Sequence, residues 1–170
     1  MFSLQLNTAA NYPTRLNYKL TVFRLMIFTL LLFWSMGFIY PFLFAKLNNA
    51  FFEFIFTTFY SSVCHQQSEK CISIGSQQMF VCSRCAGIYF GALLSALVIF
   101  PLRQIEIKKN MLFITLLILC TDVLFVLIGI YDYSKSISFI TGLIFGGTVY
   151  LYLINELEHF LFTSKNKFSK

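Results

Sequence analysis

The sequence predicts an all-α integral membrane protein: a bundle of about four transmembrane helices plus a short interfacial or re-entrant helix. Three observations predict it. Of 170 residues, 58% are hydrophobic and only 12% are charged, against roughly half and a quarter in soluble domains. Aromatic content is 19%, with 22 Phe, more than one small core accommodates but easily exposed to lipid. The Lys and Arg residues, finally, sit at the ends of apolar runs, a pattern of membrane anchoring. The net charge of +6 therefore does not point to nucleic acid, because no polar segment is long enough to carry a basic helix interleaved with aromatics. The expected partner is the lipid bilayer, and the whole chain, 1–170, reads as one integral membrane domain.

A polar segment with Pro13, Arg15 and Lys19 leads into the first predicted span, 22–45. Its apolar run exceeds the 7 to 15 residues usual in a signal peptide, and no clean A-x-A site comes after it, so a retained helix is expected. At about 1.5 Å per residue it crosses a ~30 Å core, with Pro41 near its exit. The aromatic stretch 51–63 carries Glu53 and is too short to span; it is expected at the interface, as a lid over the polar loop next to it in the chain. That polar Cys/His loop is formed by residues 64–82. Three further spans are predicted at 83–102, 111–131 and 137–157, ending in a basic tail with frayed structure. Small residues recur every fourth position at Gly87, Gly91 and Ser95 and again at Ser138, Gly142 and Gly146, which predicts close helix packing.

With four spans, nine Lys and Arg residues fall on the side of the termini and the 103–110 connection, and four (Lys46, Lys70, Arg84, Lys135) on the other. The positive-inside rule then puts both termini in the cytoplasm and the Cys/His loop outside the cytoplasmic membrane.

The loop begins Cys64-His65-Gln66, passes Cys71 and closes with Cys82-Ser83-Arg84-Cys85 at the start of the second span. Three chemistries suit this pattern. Cys64, Cys71, Cys82 and Cys85 can form two inert disulfides in an oxidising compartment, which leaves His65 without a task. Cys64, His65, Cys82 and Cys85 make a four-ligand set suited to zinc, either as a staple or beside a pocket for a lipid or small solute. Alternatively, Cys82 and Cys85 exchange electrons with Cys64 or Cys71 and pass them to a quinone; in layout alone such a bundle resembles the DsbB and vitamin K epoxide reductase oxidoreductases. Within the third span, Asp122 shares a stripe with Thr115 and Gly129, and an ionised carboxylate there costs about 2.5 to 3.5 kcal/mol unless it faces the bundle interior. It is expected either to fix packing or to serve a proton path or polar pocket, with no basic partner evident at its depth. Cys120 reads as a small filler, His159 as an interfacial cap and Trp34 as a lipid or core contact. No nucleotide-binding loop, Ser/His/Asp order or carboxylate pair emerges, so whether the chain is an enzyme stays open.

The residues Cys64-His65-Gln66 and Val81-Cys82-Ser83-Arg84-Cys85-Ala86-Gly87-Ile88-Tyr89-Phe90-Gly91 resemble the signature of the DUF2085 family, multi-pass membrane proteins of unknown function. More loosely the resemblance runs from Phe54 to Gly147, through Asp122, Gly129, Ser134 and Thr141-Gly142. It makes Arg84, Asp122 and Thr141 further polar site candidates. The family pattern has Arg-Ser at Lys70-Cys71, which implies that Cys71 lies outside the shared site. It also has an Arg at the position of Ser138 and Asp-Gly at Asp122-Val123, which implies that half of an Asp to Arg contact is missing from this chain. In some members Asp replaces the second Cys of the Cys-x-x-Cys; a carboxylate ligates a metal but forms no disulfide, so the resemblance favours metal over redox chemistry.

Overall fold

A computed structural model describes residues 14–44, 50–75, 77–99 and 107–160. The predicted basic tail and most of the amino-terminal polar segment lie outside the described residues. The described chain runs α1 (Thr14–Leu43), α2 (Ala50–Ser61), a single 3-10 turn (Ser68–Lys70), β1 (Cys71–Ile74), β2 (Gln77–Cys82), α3 (Ser83–Ile99), α4 (Lys109–Ile128) and α5 (Lys135–Glu158). The all-α membrane class holds. Three helices, over Tyr18–Leu43, Lys109–Ile128 and Lys135–Glu158, are long and apolar enough to cross a bilayer. Their outward surfaces remain apolar: along α4 only Asp122 is buried, while Phe113, Leu117, Leu127 and Ile128 stay exposed. In water such a surface would drive aggregation; in lipid it costs nothing.

Helix α3 has 17 residues, about 25 Å by helical rise, and its packing shows that it nonetheless runs the length of the bundle. It lies parallel to α5: Gly87 faces Phe139, Gly91 faces Leu143, Gly142 faces Arg84, and Gly146 faces Ile88. At each of these positions a Cβ would strike the partner's backbone, so glycine is what allows the two helices to touch. Helix α1 runs the opposite way. Its Arg24 reaches the Ile99 carbonyl at the end of α3 and Glu158 at the end of α5, whereas its Trp34 and Phe38 pack on Tyr89 near the start of α3. Helix α4 is likewise reversed, with Asp122 meeting Arg84 and Ser138 near the starts of α3 and α5. From Ser138 to Glu158 the helix rises about 30 Å, the thickness of a hydrocarbon core.

The helix ends differ from expectation by a few residues. The third span, predicted to reach 131, stops at Ile128 because Gly129 adopts a left-handed φ of 76°; the Gly129 N–H donates to Val126 O at 3.2 Å and the Ile130 N–H to Phe125 O at 3.0 Å, closing the helix. The stretch 51–63 lies mostly in the 12-residue α2, packed by Phe56 and Tyr60 on Tyr40, Trp34 and Phe80 and exposing Phe51, Phe54 and Phe59. The polar loop is more ordered than predicted. It folds into an antiparallel hairpin with Cys71 opposite Cys82, Ser73 opposite Gln78 and Ile74 opposite Gln77. The strands are short and their cysteines read as ligands rather than strand residues, so the alternation that buries Met79 and Val81 is masked in the sequence.

Candidate metal centre

The hairpin delivers Cys82 to the end of β2, from which the chain passes directly into α3, so Cys85 lies in that helix's first turn. Cys64 arrives from the other side, as the chain leaves α2. Its N–H donates to Tyr60 O at 2.9 Å, and Gln66, at φ 47°, turns the segment back so that its Nε2 donates to Thr57 O at 3.0 Å. Beneath the loop, Tyr60 is 2% exposed and its hydroxyl donates to Trp34 O at 2.7 Å, pinning α2 to α1. The Sγ atoms of Cys64, Cys82 and Cys85 consequently lie within 4.8 Å of one another.

Cys64 is buried and the other two are half-buried, in a cluster that includes Phe38, Tyr60, Met79 and Val81. The Cys82 N–H donates to Cys64 Sγ at 3.1 Å. Hydrogen bonds from the Cys82 and Cys85 thiols, reinforced by that N–H, hold the Cys64 thiol far below the usual thiol range, and the same bond to Cys64 pushes Cys82 up. A metal binding there would displace the remaining thiol protons, and soft thiolates suit zinc or copper(I).

The other predicted residues divide clearly. His65 is exposed and is not among the three convergent groups. Cys71, fully buried, faces Cys82 only in backbone register, and burial raises its pKa. All five cysteines are free thiols, with Cys120 on the exposed side of α4. His159 is exposed beyond α5, where its N–H donates to Asn155 O and Glu156 O. Thr141 bonds the Ser138 carbonyl of its own helix.

Asp122 corrects one expectation, that no basic partner is evident: it lies six residues from the end of α4, and Arg84 Nη2 donates to its Oδ2 at 2.7 Å. An Asp to Arg contact is therefore present in this chain, with the guanidinium supplied from the first turn of α3, and Ser138 bonds both partners at 3.2 and 3.3 Å. The Tyr131 hydroxyl donates to the other carboxylate oxygen. Neither Tyr131 nor Ser138 is legible in the sequence as an Asp122 partner, since only the helix reversal at Gly129 brings Tyr131 back.

A second pair escapes the sequence reading outright. Arg24 Nε and Nη2 donate to the two oxygens of Glu158 at 2.5 and 2.8 Å, and Nη1 donates to Ile99 O at 3.1 Å. A signal exists: Arg24 lies just inside the first predicted span and Glu158 just past the last, on one side of the predicted topology.

These features define a multi-pass membrane protein with a thiol cluster at one mouth of its bundle. The sequence pattern of the family described as "Predicted membrane protein (DUF2085)" matches residues 64–152, and the chain belongs to that family. It is also 34% identical over 140 residues to "Uncharacterized protein MJ1492" of Methanocaldococcus jannaschii, covering 76% of this chain and 88% of the relative. No solved structure matches. The matched region contains the thiols, Arg84 and Asp122; Arg24 and Glu158 lie outside it.

Proposed function

We propose that this membrane protein binds one zinc-class ion through the Cys64, Cys82 and Cys85 thiolates, on the extracytoplasmic side. The observation that carries the reading is the approach of three Sγ atoms from two separate chain segments to within 4.8 Å, a donor set and spacing that suit a soft divalent ion. His65, next to Cys64 and solvent-exposed, is proposed as the fourth ligand, making the ion a staple; without it, that position is left for a small solute or lipid headgroup. Sidedness rests on charge in the sequence: the four-span topology puts nine of the 13 Lys and Arg residues on the side of Arg24 and the Cys/His loop on the other.

A second reading is supported by the same approach of three free thiols to within 4.8 Å, which suits thiol–disulfide exchange. Here Cys64 and either Cys82 or Cys85 form a disulfide, releasing two electrons and two protons that reduce a quinone to a quinol. Metal analysis of detergent-purified protein, repeated after replacing the ion with cobalt(II), separates the two. About one ion per chain with thiolate-to-cobalt absorption supports the first. A metal-free protein whose disulfide is reduced by a quinol and reformed by a quinone would establish the second.

A further inference from the structure

We infer that Asp122, acting through Arg84, is a positioning residue for the thiol cluster; this rests on the metal-site reading. Two residues separate Cys82 from Cys85, and both are tethered by their side chains to other helices. Ser83 Oγ donates to the Lys135 carbonyl, at the start of α5, at 2.5 Å. Arg84 Nη2 donates to Asp122 on α4 at 2.7 Å and lies 3.2 Å from Ser138 Oγ on α5. Ser83 and Ser138 are fully buried and Asp122 is 6% exposed, so the groups that Ser83 and Arg84 reach are shielded from water. Tyr133 adds a third support: its ring lies 6.0 Å from the Arg84 guanidinium and 5.7 Å from Nζ of Lys70, the residue just before β1. The four-residue turn that carries two of the three thiols is thereby held from α4, α5 and the loop between them.

This arrangement is what a metal site needs beyond its ligands. The direction of the Cys82 and Cys85 Cβ atoms is set by the rotation of the first turn of α3, and a shift of about 1 Å there is enough to spoil a preorganised site. The contact between α3 and α5 is made by Gly87, Gly91, Gly142 and Gly146, none of which involves Asp122. Loss of the carboxylate therefore acts on the turn and leaves the helix pair in place.

The test uses full-length protein carrying Cys71→Ser and Cys120→Ser, so that only the triad reacts. Two readouts are taken: cobalt(II) affinity with its thiolate charge-transfer spectrum, and the rate at which dibromobimane, fluorescent only after bridging two thiols, cross-links the triad. Asp122→Ala is expected to weaken cobalt binding about 10- to 100-fold, the range seen when groups supporting metal ligands are removed, and to slow cross-linking. Asp122→Asn, whose amide oxygen still accepts from Arg84, falls between, and replaces the alanine variant if that one does not fold. Glu158→Ala, at the far end, lowers Tm but leaves both readouts at the parent value. The inference is overturned if the Asp122 variants lower Tm while both readouts stay at the parent value. If the parent binds no cobalt, the metal reading fails by itself, and the cross-linking rate alone decides: slower with Asp122→Ala sustains the positioning role, unchanged removes it.

Discussion

Helix α5 carries an ion-pair contact near each end, and the two differ in what surrounds them. At the Glu158 end, Arg24 spends all three of its nitrogens: two on the carboxylate and one on the Ile99 carbonyl. Arg24 and Glu158 are both buried, at 8% and 6% exposure, and the contact joins α1, α3 and α5 around an apolar cluster of Ala96, Ile99, Tyr150 and Ile154. At the Ser138 end, Arg84 is less buried and binds Asp122 through one nitrogen, leaving its Nε without a hydrogen bond. Ser138 and Tyr131 complete the carboxylate, and the thiols flank Arg84 in sequence. The first is a clasp that satisfies itself. The second leaves capacity unused and stands beside reactive groups, as pairs that support a site commonly do.

That contrast can be broken or sharpened by substitution. The largest effect is expected from Glu158→Ala, which strands a buried guanidinium and should cost about 3–5 kcal/mol, read as a fall in Tm in detergent. Metal affinity of the surviving folded protein should be unchanged, because the thiols lie about 30 Å away along α5. Cys64→Ser should do the reverse, lowering metal affinity about 100-fold, or about 2.8 kcal/mol, by isothermal titration, with little change in Tm of the metal-free protein. Next comes Gly91→Ala, whose added methyl meets the Leu143 carbonyl and should cost about 1–3 kcal/mol as overpacking, loosening both ends together. His65→Ala should have the smallest effect, about tenfold in affinity, or about 1.4 kcal/mol. No loss at all would show that the fourth position belongs to solvent or a solute.

Much of this architecture is legible in the sequence, for physical reasons that also mark where legibility stops. Long apolar runs and glycines spaced four apart are local and periodic, and they point to the helices and to the contact between Gly87, Gly91, Gly142 and Gly146. The spacing of Cys82 and Cys85 and the neighbouring Cys64 is local too, and these three thiols do converge. The partners of Asp122 are not local. Arg84 lies 38 residues away in the chain and reaches the carboxylate only because α3 and α5 run parallel and α4 returns beside them. A one-dimensional reading places Asp122 by its position in an apolar run and therefore assigns it no partner. The same holds for Arg24 and Glu158, separated by 134 residues, each of which alone reads as an interfacial charge. The hairpin is hidden because four- and six-residue strands offer too little alternation against a segment dominated by cysteine spacing.

The measurement that bears most directly on the account is the alkylation pattern of the native protein, mapped cysteine by cysteine by mass spectrometry before and after treatment with a chelator. If an ion is held by Cys64, Cys82 and Cys85, those three thiols resist alkylation together, become reactive together when the chelator is added, and are protected again by zinc, while exposed Cys120 reacts throughout. Three thiols that modify at the same rate with chelator and with added zinc would contradict it.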